Sequence, residues 1–111
     1  MELARAIVNS LEEKKGENIL LLDIHEVASF TDYFIICNGT SDRMLNSLSR
    51  AVRDDVKEQF KIDAVQEGQP SSGWLVTDFG DVVVHLFSPD QRDYYKLVEL
   101  WDQGKVLLRL Q

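Results

Sequence analysis

The sequence predicts an α/β sandwich in which helices flank a mixed sheet of about five strands, within a single domain covering residues 1–111. Three observations predict it. Ile19–Asp23 and Asp32–Cys37 are apolar without alternation, as strands covered on both faces are. The segment after Ser41 repeats apolar residues at helical spacing over several turns. Trp74–Asp78 and Val82–Phe87 flank Phe79-Gly80-Asp81 in the manner of a hairpin, with Gly80 free to take a positive φ.

Each element follows from its residues. Leu3, Ile7, Val8 and Leu11 make one helical stripe over Leu3–Leu11, and Lys14, Lys15 and Gly16 supply a stop. Ile19–Asp23 is the first strand. The link Ile24–Thr31 has no clear period and leaves room for one short helical turn. Asp32–Cys37, rich in aromatic and β-branched residues, is the second strand.

After Asn38-Gly39-Thr40-Ser41, the residues Met44, Leu45, Leu48, Ala51, Val52, Val56 and Phe60 predict a long amphipathic helix. Thr40 or Ser41 can cap it, and Asp42 suits the positive end of its dipole. Ile62–Gln66 reads as a short strand and Glu67–Gly73 as a polar loop. Val82–Phe87 is apolar on both faces with His85 its one polar interruption, so it is expected to be central. Ser88-Pro89-Asp90-Gln91 is a capping box with proline at the first helical position. The helix it opens carries Tyr94, Leu97, Val98 and Trp101 at stripe spacing. Gly104–Gln111 reads equally as a strand or a frayed end.

Composition excludes several classes. Apolar residues are 44% and charged residues 28% of the chain, ordinary globular usage. One cysteine leaves no disulfide framework and suits a reducing cytoplasm. No apolar run reaches membrane-spanning length, and the acidic, helical start MELARAIVNSLEE is unlike a signal peptide. The net charge of −7 argues against gripping nucleic acid through phosphate neutralisation. That charge is uneven: Asp63 to Asp102 holds eight acids against Arg92 and Lys96, hence six of the seven net negative charges. Such a stretch is either a solvated face or a surface suited to a basic partner.

Catalytic chemistry finds little footing. His25, His85 and Cys37 have no metal-ligand spacing, so no metal and no cofactor are expected. Cys37 reads as a small core residue, and His85 as a core or interface histidine. No G-x-S-x-G or comparable nucleophile arrangement is present. Asp78 and Asp81 flank a turn, where carboxylates commonly hold turn amides. Gly39, Thr40 and Ser41 lie between a strand and a helix start, which suits either anion binding or simple capping. The Walker lysine and G-x-G-x-x-G are both missing. This strand–Gly–Ser–helix element resembles the start of nucleotidyltransferase folds, but Ile62–Gln66 offers only Asp63 where such enzymes alternate two metal-binding acids. Trp74, Tyr94, Tyr95 and Trp101 remain as amphipathic anchors, each suited to core or interface, within the acidic stretch.

Several segments together resemble the Iojap family of ribosomal silencing factors. They are Thr31 to Ser41 (TDYFIICNGTS), Glu67-Gly68, Trp74, Asp78 to His85 (DFGDVVVH), Arg92-Asp93-Tyr94-Tyr95 and Leu100-Trp101. The resemblance runs from about Leu3 to Trp101. It implies a non-enzymatic translation repressor with a nucleotidyltransferase-like fold. It also implies binding to the large ribosomal subunit through that subunit's ribosomal protein fourteen, where the domain blocks joining of the small subunit. Glu67, Trp74, Asp78, Asp81, His85, Arg92, Tyr95 and Trp101 match family positions and are the candidates for the binding face or its support. Two positions depart from the family: Met44 stands where histidine is usual, and Val98 where glutamate is usual. The alternative reading is a nucleotide-binding enzyme or pseudo-enzyme using Gly39–Ser41. A homodimer, through a strand edge or the aromatic patch, is compatible with both.

Overall fold

The apolar stripe at the start of the chain folds as helix α1, Glu2–Glu13, burying Ala4, Ile7, Val8 and Leu11. The computed structural model describes residues 1–26, 29–95 and 105–110. The stop after α1 works as expected: Lys15 takes φ 65°, and the Gly16 amide donates to the Leu11 carbonyl at 2.8 Å. Strands β1 (Glu17–Asp23) and β2 (Tyr33–Asn38) pair antiparallel with Leu21 opposite Ile35. The link between them closes where the Ile24 amide donates to the Asp32 carbonyl at 2.9 Å. Its described residues form turns and bends, not the helical turn allowed for it.

Helix α2 spans Asp42–Phe60. Ser41 is its N-cap, its hydroxyl accepting from the Met44 amide at 3.0 Å. Lys61 ends it in the left-handed region at φ 59°. Leu45, Leu48, Val52 and Val56 are buried on its inner face, which also packs against α1. Across that helix pair the Ser10 hydroxyl donates to Asp55 at 2.7 Å.

The third strand lies further along than predicted. Ile62 and Ala64 leave α2 as irregular chain packed on the core, and β3 is Val65–Gln69. Its burial is slight, so an edge position tolerates Gln66, Glu67 and Gly68 where a central one would not. The expected polar loop shrinks to a single 3₁₀ turn, Pro70–Ser72. Strands β4 (Trp74–Asp78) and β5 (Val82–Phe87) form the expected hairpin, with Asp78 opposite Val83. Helix α3, Pro89–Tyr95, starts after Ser88, whose hydroxyl accepts from the Gln91 amide at 3.4 Å. Leu97, Val98 and Trp101 of its expected stripe lie outside the described residues.

Lys105–Leu110 is strand β6, which makes the sheet six-stranded where about five strands were expected. The tail qualifies because β1 is continuously apolar and has a second edge to pair, placing Leu21 opposite Leu108. The order is β3-β4-β5-β2-β1-β6. The β2–β5 pair is parallel and the other pairs are antiparallel, so the sheet is mixed. β5 is central and all six of its residues are buried, as its sequence predicts.

Strand alternation then splits the core into two layers. On one face Ile19, Leu21, Ile35, Cys37, Val82, Val84 and Leu86 meet α1 and α2. On the other, Leu20, Leu22, Phe34, Ile36, Val83 and Phe87 form a second cluster, with Trp74 and Val76 partly buried against it. Leu48 is 1% exposed within the helix layer. Leu48→Ala is expected to destabilise the domain by about 3 kcal/mol, read as a lower midpoint at unchanged slope in urea unfolding.

Candidate functional site

The second face of the sheet, away from α1 and α2, gathers four of the eight candidate binding residues, Glu67, Trp74, Asp78 and His85. Opposed residues of an antiparallel pair share a face. Glu67 lies opposite Val76, and Val76 opposite His85. Gln69 lies opposite Trp74, and Trp74 opposite Phe87. Val65 lies opposite Asp78, and Asp78 opposite Val83. Three rows therefore cross β3, β4 and β5, grading from an exposed rim on β3 to a buried floor on β5. Gln66 confirms the alternation from the opposite side, since it accepts a hydrogen bond from Ser49 of α2.

The floor is aromatic. Trp74 stacks on Phe87 with ring centroids 5.1 Å apart, and Phe34 meets His85 edge-on at 4.6 Å. The Trp74 indole Nε1–H donates to His85 Nδ1 at 3.2 Å. An accepting Nδ1 places the proton of the neutral ring on Nε2. Nε2 is buried and has no hydrogen-bond partner among the described residues. Burial holds the imidazole neutral, pushing it down from 6.5 to about 4.

Glycine fixes the rim to the floor. Gly68 takes φ 89°, and a Cβ there would collide with the Trp74 carbonyl oxygen. At the hairpin turn Gly80 takes φ 92°, and its amide donates to Asp78 Oδ1 at 2.8 Å. Asp78 thus holds its turn while remaining exposed on the rim. Asp81 is exposed too; its backbone carbonyl accepts from the amides of Asp32 and Tyr33, each at 3.0 Å, tying the turn to the start of β2.

The other candidates sit elsewhere. Arg92 is a bracket: its Nη1 donates to the Asn18 carbonyl at 2.5 Å and to Asn38 Oδ1 at 2.9 Å, joining α3 to β1 and β2. Tyr95 ends α3, and Trp101 lies outside the described residues. At Gly39–Ser41 the polar groups have internal partners. The Gly39 amide donates to the Phe87 carbonyl at 2.9 Å, the Thr40 amide points to Met44 Sδ at 3.3 Å, and the Ser41 hydroxyl caps α2. A Cβ on Gly39 would come within 2.9 Å of Leu45 Cδ2, so packing accounts for that glycine.

Among the described residues the remaining titratable groups do not assemble a reactive centre. Cys37 is buried and its thiol is pushed up to about 12, which makes it a poor nucleophile. Exposed His25 pairs with Asp23 at 2.5 Å, and that bond raises the imidazole and lowers the carboxyl. Among the described residues no group of three or more His, Cys, Asp or Glu side chains could hold a metal ion. Asp63, the one acid available to a transferase-like pair, precedes β3 and pairs with Lys57 at 2.7 Å.

Sequence reasoning missed two rim residues, Val65 and Phe30, which are 65% and 62% exposed. Val65 becomes visible only once β3 is registered on β4, because alternation with Glu67 and Gln69 then assigns its face. Phe30 reaches the same layer through Phe34, at a ring separation of 6.0 Å.

A rim of exposed apolar and acidic residues beside a buried aromatic floor suits docking better than turnover. Comparison with known proteins gives that face a context. The family model described as ribosomal silencing factor during starvation, RsfS, matches residues 1–110. The chain belongs to the RsfS family. It is 39% identical over 90 residues to ribosomal silencing factor RsfS of Bacillus subtilis, covering 81% of this chain and 76% of that one. It is 32% identical over 98 residues to mouse mitochondrial assembly of ribosomal large subunit protein 1, covering 86% of this chain and 43% of the relative. The crystal structure of a Chromobacterium violaceum protein superposes with a TM-score of 0.86 at 36% identity, covering 91% of this chain and 84% of that one. The α/β fold with its mixed sheet is therefore shared with solved relatives of this RsfS chain. No helix among the described residues is long and apolar enough to cross a membrane.

The neutral, buried His85 makes stability pH-dependent. The unfolded chain takes up its proton near pH 6.5 and the folded chain only near 4, so this stability is complete above 6.5 and is lost as pH falls toward 4. The loss amounts to about 3 kcal/mol. Urea titrations between pH 7 and 4 are expected to show a shallower decline for His85→Leu than for the unsubstituted chain.

Proposed function

We propose that this chain is a non-enzymatic translation repressor that binds the large ribosomal subunit through its ribosomal protein fourteen and blocks joining of the small subunit. Membership of the ribosomal silencing family supports a ribosomal partner, and the name of the mouse relative points to the large subunit in particular. The observation that carries the reading is the rim itself. Val65, Glu67, Trp74 and Asp78 bring exposed apolar surface, an aromatic edge and two carboxylates together on one sheet face. Apolar anchors within a one-signed charge field suit a basic protein surface, because the field steers the encounter and the anchors hold the complex. Asp81, on the adjoining turn, extends that field.

The core of the site consists of Glu67, Trp74, Asp78 and Asp81, with His85 and Arg92 as its support; Tyr95 and Trp101 are included in the proposal on their match to family positions alone. The protein acts in the cytoplasm, as a single domain over residues 1–111 with a nucleotidyltransferase-like arrangement and no transferase activity. A homodimer is compatible with this reading, since β3 and β6 each have an unpaired edge among the described strands.

Two measurements test it. Added to dissociated subunits, the protein is expected to co-sediment with the large subunit and to suppress formation of whole ribosomes; undiminished reassociation refutes the proposal. Asp81→Lys is expected to weaken large-subunit binding about tenfold with an unchanged circular dichroism spectrum. Asp78→Asn, which keeps the turn acceptor while removing the charge, is expected to weaken it in the same direction.

A further inference from the structure

We propose that His85 is a positioning residue, placed in the sheet to fix the orientation in which the Trp74 indole meets the ribosomal partner. The inference rests on reading the β3–β4 face as the docking surface. It starts from an apparent misfit: His85 is a polar residue in a strand whose five other residues are apolar and buried. Its own neighbours are the rings of Phe34, Trp74 and Phe87. A leucine or phenylalanine would complete this layer. Histidine instead leaves Nε2–H buried and without a partner among the described residues, which burdens the fold.

What histidine adds is one acceptor, Nδ1, and that acceptor receives the Trp74 indole N–H. The Trp74 backbone is already clamped by its pairs with Gln69 and Phe87, and by the close approach of Gly68. Stacking on Phe87 sets the plane of the ring, and the bond to Nδ1 sets which edge turns inward. The half-buried indole therefore offers one fixed edge to the rim, beside Gln69 and next to the row that carries Glu67. Ordering such an anchor before contact lowers the entropy lost on binding. His85 itself is 6% exposed and acts through Trp74, without touching the partner.

The experiment compares full-length His85→Leu, His85→Gln, Trp74→Phe and the Trp74→Phe/His85→Leu double variant in sedimentation titrations with purified large subunits. Thermal melts and indole N–H exchange by nuclear magnetic resonance accompany them. His85→Leu is expected to bind about tenfold more weakly while melting at or above the unsubstituted temperature, with faster exchange at the Trp74 indole. His85→Gln, whose amide oxygen can accept in place of Nδ1, is expected to stay within about threefold. In the Trp74→Phe background His85→Leu is expected to have no further effect. Unweakened binding by His85→Leu overturns the proposal, as does an equal loss in the Trp74→Phe background. A lowered melting temperature or failure to fold in His85→Leu also overturns it, since histidine would then be serving the fold. If the unsubstituted protein does not bind large subunits, the docking reading fails instead, and indole exchange still decides whether His85 orients Trp74.

Discussion

The parallel pairing of β2 with β5 is the constraint on which the remaining structure depends. Parallel neighbours cannot be joined by a tight turn, so the chain must cross over between them, and α2 is the main element of that crossover. β2 and β5 lie inside the sheet and are buried on both faces, which is why neither alternates in sequence. Gly39 continues the ladder by donating to Phe87, and Asp81 begins it by accepting from Asp32 and Tyr33. The two ends of the pair thus fix both the entry to α2 and the turn that carries the acidic rim.

That pairing also divides labour between the two faces. Val82, Val84 and Leu86 supply the layer under the helices, where burial is complete and the chemistry inert. Val83, His85 and Phe87 supply the floor of the other face, over which β4 and β3 extend toward solvent. The acidic excess divides along with them. Asp63 is tied to Lys57 on the α2 side, an exposed pair of little energetic weight, whereas Glu67 and Asp78 stand on the rim. A negative charge that is merely high in the sequence becomes, in the fold, a field beside apolar anchors.

Most of the framework was legible because it is set by apolar periodicity and local capping. The α2 stripe, a cap at Thr40 or Ser41, the buried β5 and the Asp78–Asp81 turn all follow from residues close together in the chain. What could not be read depends on distant partners. β6 was ambiguous because Lys105–Leu110 becomes a strand through the open edge of β1, far away in sequence. β3 was displaced because a polar edge strand owes its pairing to β4 and little to its own propensity. The candidate site shows the same split: Glu67, Trp74, Asp78 and His85 could be named singly, but their common face needed the register. Arg92 matches a family position as they do, but its bonds to Asn18 and Asn38 assign it to holding α3 in place.

The support around Trp74 explains how so small a sheet can hold the edge proposed for docking in one shape. An edge strand such as β3 has a partner on one side only and would ordinarily be the most pliable part of the sheet. Here its middle is pinned to both α2 and β4. Gln66 reaches down to Ser49 on α2, and Gly68 brings the backbone against Trp74 on β4. Trp74 in turn is stacked on Phe87 and bonded to His85, both in the buried central strand. The rim thereby inherits the rigidity of β5 through two layers of contact. An exposed edge keeps its shape only if such a chain of contacts reaches the core, and His85 Nδ1 supplies the acceptor that fastens the indole at its polar end.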